Sequence, residues 1–303
     1  MTGNRHAGDP TKAILALRTE LDEWVTAKSQ GNWFPSKRME LEALLVSREH
    51  NSLLFASTTA RLLSVFEANR GASEVLKGQE QGWRRIANAL DFYYWSMRIW
   101  HGHWASLGKL YDSAPPGFHH QFSLFFCLAA AGHRRDVAEW LAKELLASYE
   151  RGFAEQYTDN VPFREFIHVL ATYYIAQRWP EQQELPEQLG VYRPLFLNWK
   201  KPDQLSQALI EVCDFHIAYA LPEVDESDEE GFGYPFAENS YTTVFPVEIL
   251  AFLELRSSFG LPEITFDHSL MNTPLRYIPT DKFVSDDPLL PQLAQNAKKR
   301  YPP

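Results

Sequence analysis

The sequence predicts an all-α fold: a multi-helix bundle with helical hairpins around a central aromatic-rich helix. Two observations carry that expectation. Nearly every apolar stripe recurs at three or four residues, the spacing that gathers side chains on one helix face. Strand-like alternation is almost absent, since Ile264-Thr265-Phe266-Asp267-His268 is the one plausible strand and is too isolated to define a sheet. The chain has 303 residues, 45% of them hydrophobic and 14% aromatic, which suits a globular protein with a sizeable core. A single all-α domain spanning 1–303 is expected. Within it, Ala114-Pro115-Pro116-Gly117 offers a break between two candidate subdomains, 1–113 and 118–303, the second with an acidic loop at 222–245.

The elements follow in order. Asp9-Pro10 reads as an N-cap and first helical residue, and the stripe Ile14, Leu17, Leu21, Trp24/Val25 stops at Gly31. Pro35-Ser36 opens one long helix over 37–70, with Leu41, Leu45, Phe55, Leu62 and Phe66 on one stripe, ending near Gly71. Arg48, Ser52 and Thr59 interrupt it, as a polar layer between helices would. Residues 83–110 are the most strongly patterned. Trp83, Ile86/Ala87, Leu90, Tyr93/Tyr94, Met97, Trp100, Trp104 and Leu107 form the stripe, thickened by Phe92, Trp95 and Ile99. Core packing is the simplest use of such aromatics. Helices at 118–131 and 134–150 form a hairpin with Gly132 as its left-handed cap. Further helices fit 163–178, 203–220 with Asp203 as N-cap, 246–259 and 288–299.

The sequence excludes several chemistries. Phosphate-binding glycine loops, a GxSxG elbow, HExxH and CxxC are all missing. His101, His103, His119 and His120 have no clustered cysteine or carboxylate nearby in sequence, so structural or surface roles are expected. Cys127 and Cys213 lie in apolar helical patterns and read as buried free thiols of a reducing compartment. Charges fill the first thirty residues, and no apolar run approaches the roughly 20 residues that span a bilayer. The expectations are a cytoplasmic protein with no catalytic residues, no cofactor and no obligatory metal, binding neither membrane nor nucleic acid.

Charge is where the sequence is most distinctive. The formal net charge is −10, and residues 202–255 contain twelve carboxylates and no Lys or Arg. Six of those acids, Glu223, Asp225, Glu226, Asp228, Glu229 and Glu230, fall within eight residues. Started at Asp225, an EF-hand register puts Gly231 one position late and Phe236 where the bidentate acid belongs, so that reading fails. One alternative is a solvated loop that maintains solubility. The other is a contact surface, because Phe232, Tyr234, Phe236 and Tyr241 are interleaved with the acids. Rings in a one-sign patch anchor a complex while the charge speeds encounter. The candidate partner-binding residues are therefore Glu223, Asp225, Glu226, Asp228, Glu229, Glu230, Phe232, Tyr234 and Phe236.

The stretch Tyr241-Thr-Thr-Val-Phe-Pro246-Val-Glu-Ile-Leu250, then Leu255-Arg-Ser-Ser-Phe-Gly260-Leu-Pro-Glu-Ile, then His268-Ser-Leu-Met-Asn272-Thr-Pro274 resembles the ending of a known group. The group is the helical immunity proteins of bacterial polymorphic-toxin and type VI secretion systems. The hairpin at 118–148 looks like the middle of such proteins. The resemblance covers about a third of the chain. It implies a cytoplasmic, non-catalytic bacterial protein that binds and neutralises its cognate toxin, including nuclease toxins whose clefts are basic. It carries over no binding residues. Two other readings stand beside it. A helical adaptor or scaffold would show a concave groove lined by repeated hairpins, and a carboxylate–metal enzyme would bring at least three acid or His side chains together.

Overall fold

The computed structural model describes residues 9–49, 51–110, 118–152, 161–220 and 240–302, and for 118–120 and 240 the backbone alone. Among the described residues there are eleven α-helices, a few short 3-10 turns and no strand. The all-α multi-helix class is therefore the observed one. The chain divides into two compact units. One comprises Met1–Thr19 with Gly117–Tyr277, and the other Glu20–Pro116 with Ile278–Pro303. The first helix, α1 (Pro10–Gln30), contains the division at its tenth residue.

The unit containing 20–116 is built on α2 (Trp33–Val46), α3 (Ser52–Leu76), α4 (Gln81–Ser106) and α11 (Leu290–Arg300). The single helix expected over 37–70 is two. The chain breaks at Ser47, whose backbone is extended, and restarts at Ser52. Phe55 and Leu62 consequently leave the expected stripe and are exposed, whereas Leu41, Leu45 and Phe66 are buried. The polar layer is real in part. Thr59 donates to Glu40 at 2.8 Å and Ser52 to the Glu49 carbonyl at 2.9 Å, while Arg48 is exposed. Gly71 does not end a helix. α3 runs through it, and a Cβ there would lie 2.7 Å from the Gly82 carbonyl oxygen. One at Gly82 would lie 2.5 Å from the Gly71 carbonyl, so two glycines let α3 and α4 approach backbone to backbone.

α4 is the aromatic-rich central helix, but its buried face is rotated from the simplest reading. Trp83, Ile86, Leu90, Phe92, Tyr93, Met97 and Ile99 are buried. Trp95, Trp100 and Trp104 are only partly covered, and Leu107 is exposed beyond the helix end. The reason is the amphipathic period: thickening the stripe around Phe92 and Ile99 turns Trp100 and Trp104 toward the edge. The C-terminal segment docks on the same helix. Asn88 accepts the backbone N–H groups of Asp286 (2.8 Å) and Asp287 (3.2 Å), and Arg38 clamps the Asp287 carboxylate. Leu290, Leu293 and Ala297 of α11 then complete a core with Leu41, Leu45, Ala60, Leu63, Phe92 and Ile99.

The unit containing 117–277 is built on α5 (Phe118–Ala131), α6 (Arg135–Glu150), α7 (Val161–Ala176), α8 (Arg193–Leu197), α9 (Pro202–Ala220) and α10 (Val247–Ser258). The expected α5–α6 hairpin is present, but the left-handed residue at its turn is His133 (φ 55°), not Gly132. A histidine tolerates that region better than β-branched residues do. Trp179 sits among Phe196, Trp199, Phe252 and Phe259 with ring centroids 4.4–5.8 Å apart. Residues 264–266 are not a strand; Ser206 on α9 donates to the Thr265 carbonyl at 3.2 Å. Cys127 and Cys213 are buried and free, as expected.

Candidate partner-binding surface

The nine predicted contact residues, Glu223 through Phe236, lie outside the described residues. The fold does describe their flanks: α9 ends at Ala220, and a 3-10 turn at Ser240–Thr243 leads into α10. That turn revises the expected loop at 222–245. Every residue from Tyr241 to Leu250 is buried, and Tyr241 is 1% exposed with its ring against Phe125. Tyr241 is thus a core residue, not an anchor for a partner. The first segment quoted for the immunity-protein resemblance is this same buried stretch.

Among the described residues, α9 supplies the exposed acids of the cation-free window. Leu205, Leu209, Val212, Cys213, His216 and Ile217 fill its buried face. Asp203, Gln207, Glu211 and Asp214, spaced four, four and three residues apart, form an exposed stripe on the other. The helix starts at Pro202, which places Asp203 in the first turn instead of at the N-cap. There its charge still complements the positive end of the helix dipole. Asp203, Gln204, Gln207 and Glu211 share an open groove of about 460 Å³ with Pro194 and Asn198, and no cation lines it. Gln207 Nε2 donates to Glu211 Oε1 at 3.2 Å. The groove therefore presents carboxylate and amide oxygens, acceptors suited to Lys and Arg side chains.

Three described acids of the window, Asp214 of the stripe among them, lie beside histidines. Glu248 Oε1 lies 2.7 Å from His216 Nδ1 with both side chains fully buried. Asp214 Oδ1 is 3.2 Å from His268 Nε2, and Glu254 Oε1 is 3.1 Å from His133 Nδ1. Burial pushes Glu254 above its ordinary value, with His133 opposing. The second oxygen of Glu248 and the hydroxyls of Tyr192 and Tyr241 are buried without a hydrogen-bond partner among the described residues. Sequence reasoning missed these pairings. His216 and Glu248 are 32 residues apart, on either side of the acidic run, and no periodicity signals that they meet.

Burial, then the field of Glu248, pushes both Cys127 and Cys213 up, away from thiolate formation. His103 Nδ1 lies 3.3 Å from Tyr301 Oη, a structural contact. Among the described residues no group of three or more His, Cys, Asp or Glu is placed to hold a metal ion, and no helix is long and apolar enough to cross a membrane. No protein-family model, curated protein or solved structure matches the chain.

Proposed function

We propose that this chain is an immunity-type binding protein. It neutralises a basic toxin, nuclease-like in its need for a positive cleft, by covering the active or substrate-binding surface. The observation that supports this reading is the cation-free window: an exposed acidic stripe on α9 runs directly, in sequence, into the six acids and three aromatics at 223–236. Carboxylates on a helix beside an open groove compete with phosphates for Lys and Arg, and opposed fields raise the capture rate roughly tenfold to a thousandfold. The aromatics Phe232, Tyr234 and Phe236 would supply residence time.

The test uses the product of the adjacent gene as the partner. Co-expression should protect cells from that product, and the purified pair should associate faster at about 20 mM than at about 300 mM salt. Replacing Glu223, Asp225, Glu226, Asp228, Glu229 and Glu230 with amides should slow association and flatten its salt dependence. Tyr234→Ala should speed dissociation instead, at a loss of about 2 kcal/mol or more. Equal low-salt association rates for wild type and the amide variant would reduce the run to a solvated loop. Absence of protection would remove the immunity reading altogether.

A further inference from the structure

A pocket in the unit containing 20–116 has the opposite chemistry to the acidic stripe. It forms where the α2–α3 break meets the last turn of α11, with a volume of about 420 Å³. Its apolar floor is Leu44, Leu45 and Leu53, continuous with the hydrophobic core. Around that floor stand Arg48, Lys299 and Arg300, against a single acid, Glu49. None of the three cations has an ion-pair partner among the described residues. This contrasts with Arg38, Arg70, Arg84 and Arg85 in the same unit, each paired with a carboxylate.

The arrangement is held in place from both sides. Asn296 donates to the Leu45 carbonyl at 2.8 Å and Gln292 to the same oxygen at 3.4 Å, which ties the α11 end carrying Lys299 and Arg300 to the end of α2. Ser52 donates to the Glu49 carbonyl at 2.9 Å, fixing the break that carries Arg48. Ser52 and Leu53, the first residues of the 25-residue α3, also line the pocket, so the positive end of that helix adds to the field. Lys298 differs from its neighbours: its ammonium lies 5.3 Å from the Trp95 ring centroid, outside the pocket lining.

We propose that this pocket binds a small phosphomonoester, with its apolar body on Leu44, Leu45 and Leu53 and its phosphate among Arg48, Lys299 and Arg300. A volume of a few hundred Å³ with an apolar floor and convergent polar groups is the usual build of a small-molecule site. Three cations from two separated chain segments suit a dianionic head with three oxygens better than a monoanionic carboxylate. This site is independent of the acidic stripe, and its fate does not bear on the toxin-binding reading.

Calorimetric titration of the full chain with phenyl phosphate tests it. One molecule should bind per chain, with inorganic phosphate, phenol and benzoate each weaker by about tenfold or more. The variant carrying Arg48→Gln, Lys299→Gln and Arg300→Gln should lose about tenfold or more in affinity with Tm unchanged, because all three side chains are exposed. Leu53→Ala should weaken phenyl phosphate more than inorganic phosphate. No saturable binding by about 10 mM, equal binding by the triple variant, or benzoate matching phenyl phosphate would overturn the proposal.

Discussion

The most buried acid of each unit, Glu67 in one and Glu248 in the other, meets a different kind of partner. In the unit containing 20–116, Glu67, Glu74 and Asp287 meet arginines, while Asp91 accepts from the Ser285 hydroxyl. Arg85 donates to Glu74 at 2.8 Å and lies 3.2 Å from Glu67, which is 2% exposed, while Arg38 clamps Asp287. In the unit containing 117–277 three acids of the cation-free window, Asp214, Glu248 and Glu254, lie beside histidines, while Glu211 accepts from Gln207. A guanidinium keeps its charge at every working pH, whereas an imidazole carries one only when protonated. The first unit can therefore tie distant segments together with permanent ion pairs. The second satisfies part of its acidic window without fixed positive charge, which preserves the one-sign field that a basic partner would meet.

The largest effects should come from breaking a buried pair in each unit. Glu248→Ala and Arg85→Ala should each destabilise by about 3 to 5 kcal/mol in urea denaturation, since each leaves a buried polar or charged partner uncompensated. Replacing both members with apolar residues sharpens the comparison. His216→Leu combined with Glu248→Leu should recover much of the single-variant loss, because one Glu248 oxygen is buried without a hydrogen-bond partner among the described residues. A loss below about 1 kcal/mol for either single variant would place that pair with ordinary surface ion pairs.

Backbone packing gives the next effect. Gly71→Ala would push a methyl group to within 2.7 Å of both the Gly82 carbonyl oxygen and Ile86 Cγ1. α3 and α4 must then separate, for about 1 to 3 kcal/mol. Gly78→Ala meets no atom within 4 Å and carries only the strain of a positive φ, so its loss should be smaller. Equal losses would mean that the helices already have slack at the crossing.

How much of this was legible in the sequence follows from the kind of signal involved. Periodicity is local, so α1, α5, α6, α7, α9 and α10 fall within a residue or two of expectation. The α2–α3 break was hidden because Leu41, Leu45 and Phe66 keep an approximate helical phase across it, and no Pro or Gly marks Ser47–Asn51. Gly71 was misread for a related reason. A glycine inside a helix serves close approach as well as termination, and only the neighbouring helix decides which. The candidate contact residues were visible as composition alone. Their extension along α9 needed the helix, which put Asp203, Glu211 and Asp214 on one face, and the core position of Glu248 on α10 needed the packed fold. Pairings such as His216–Glu248 and Asn88–Asp287 join residues far apart in sequence, and no local pattern encodes them.

The smallest effect is a pH dependence whose sign differs between His168 in one unit and Glu67 in the other. On α7, His168 stacks on Tyr149 with ring centroids 4.2 Å apart and planes 11° from parallel. Burial holds it below its ordinary value; Arg164 acts in the same direction and Glu165 against it. The unfolded chain then takes up a proton near pH 6.5 that the folded state refuses. Stability contributed by neutral His168 is present above that pH and is lost as pH falls toward the folded value. In the other unit Glu67 is shifted up, by burial first, with Arg85 opposing. Its sign is opposite: stability present below about pH 4.3 is lost as pH rises through the folded value. Between pH 7 and 5.5, wild type should lose up to about 1 kcal/mol more than His168→Gln, measured from urea midpoints at each pH. Parallel pH profiles for the two proteins would show that His168 titrates as it does in the unfolded chain, and that its stack on Tyr149 does not exclude the proton.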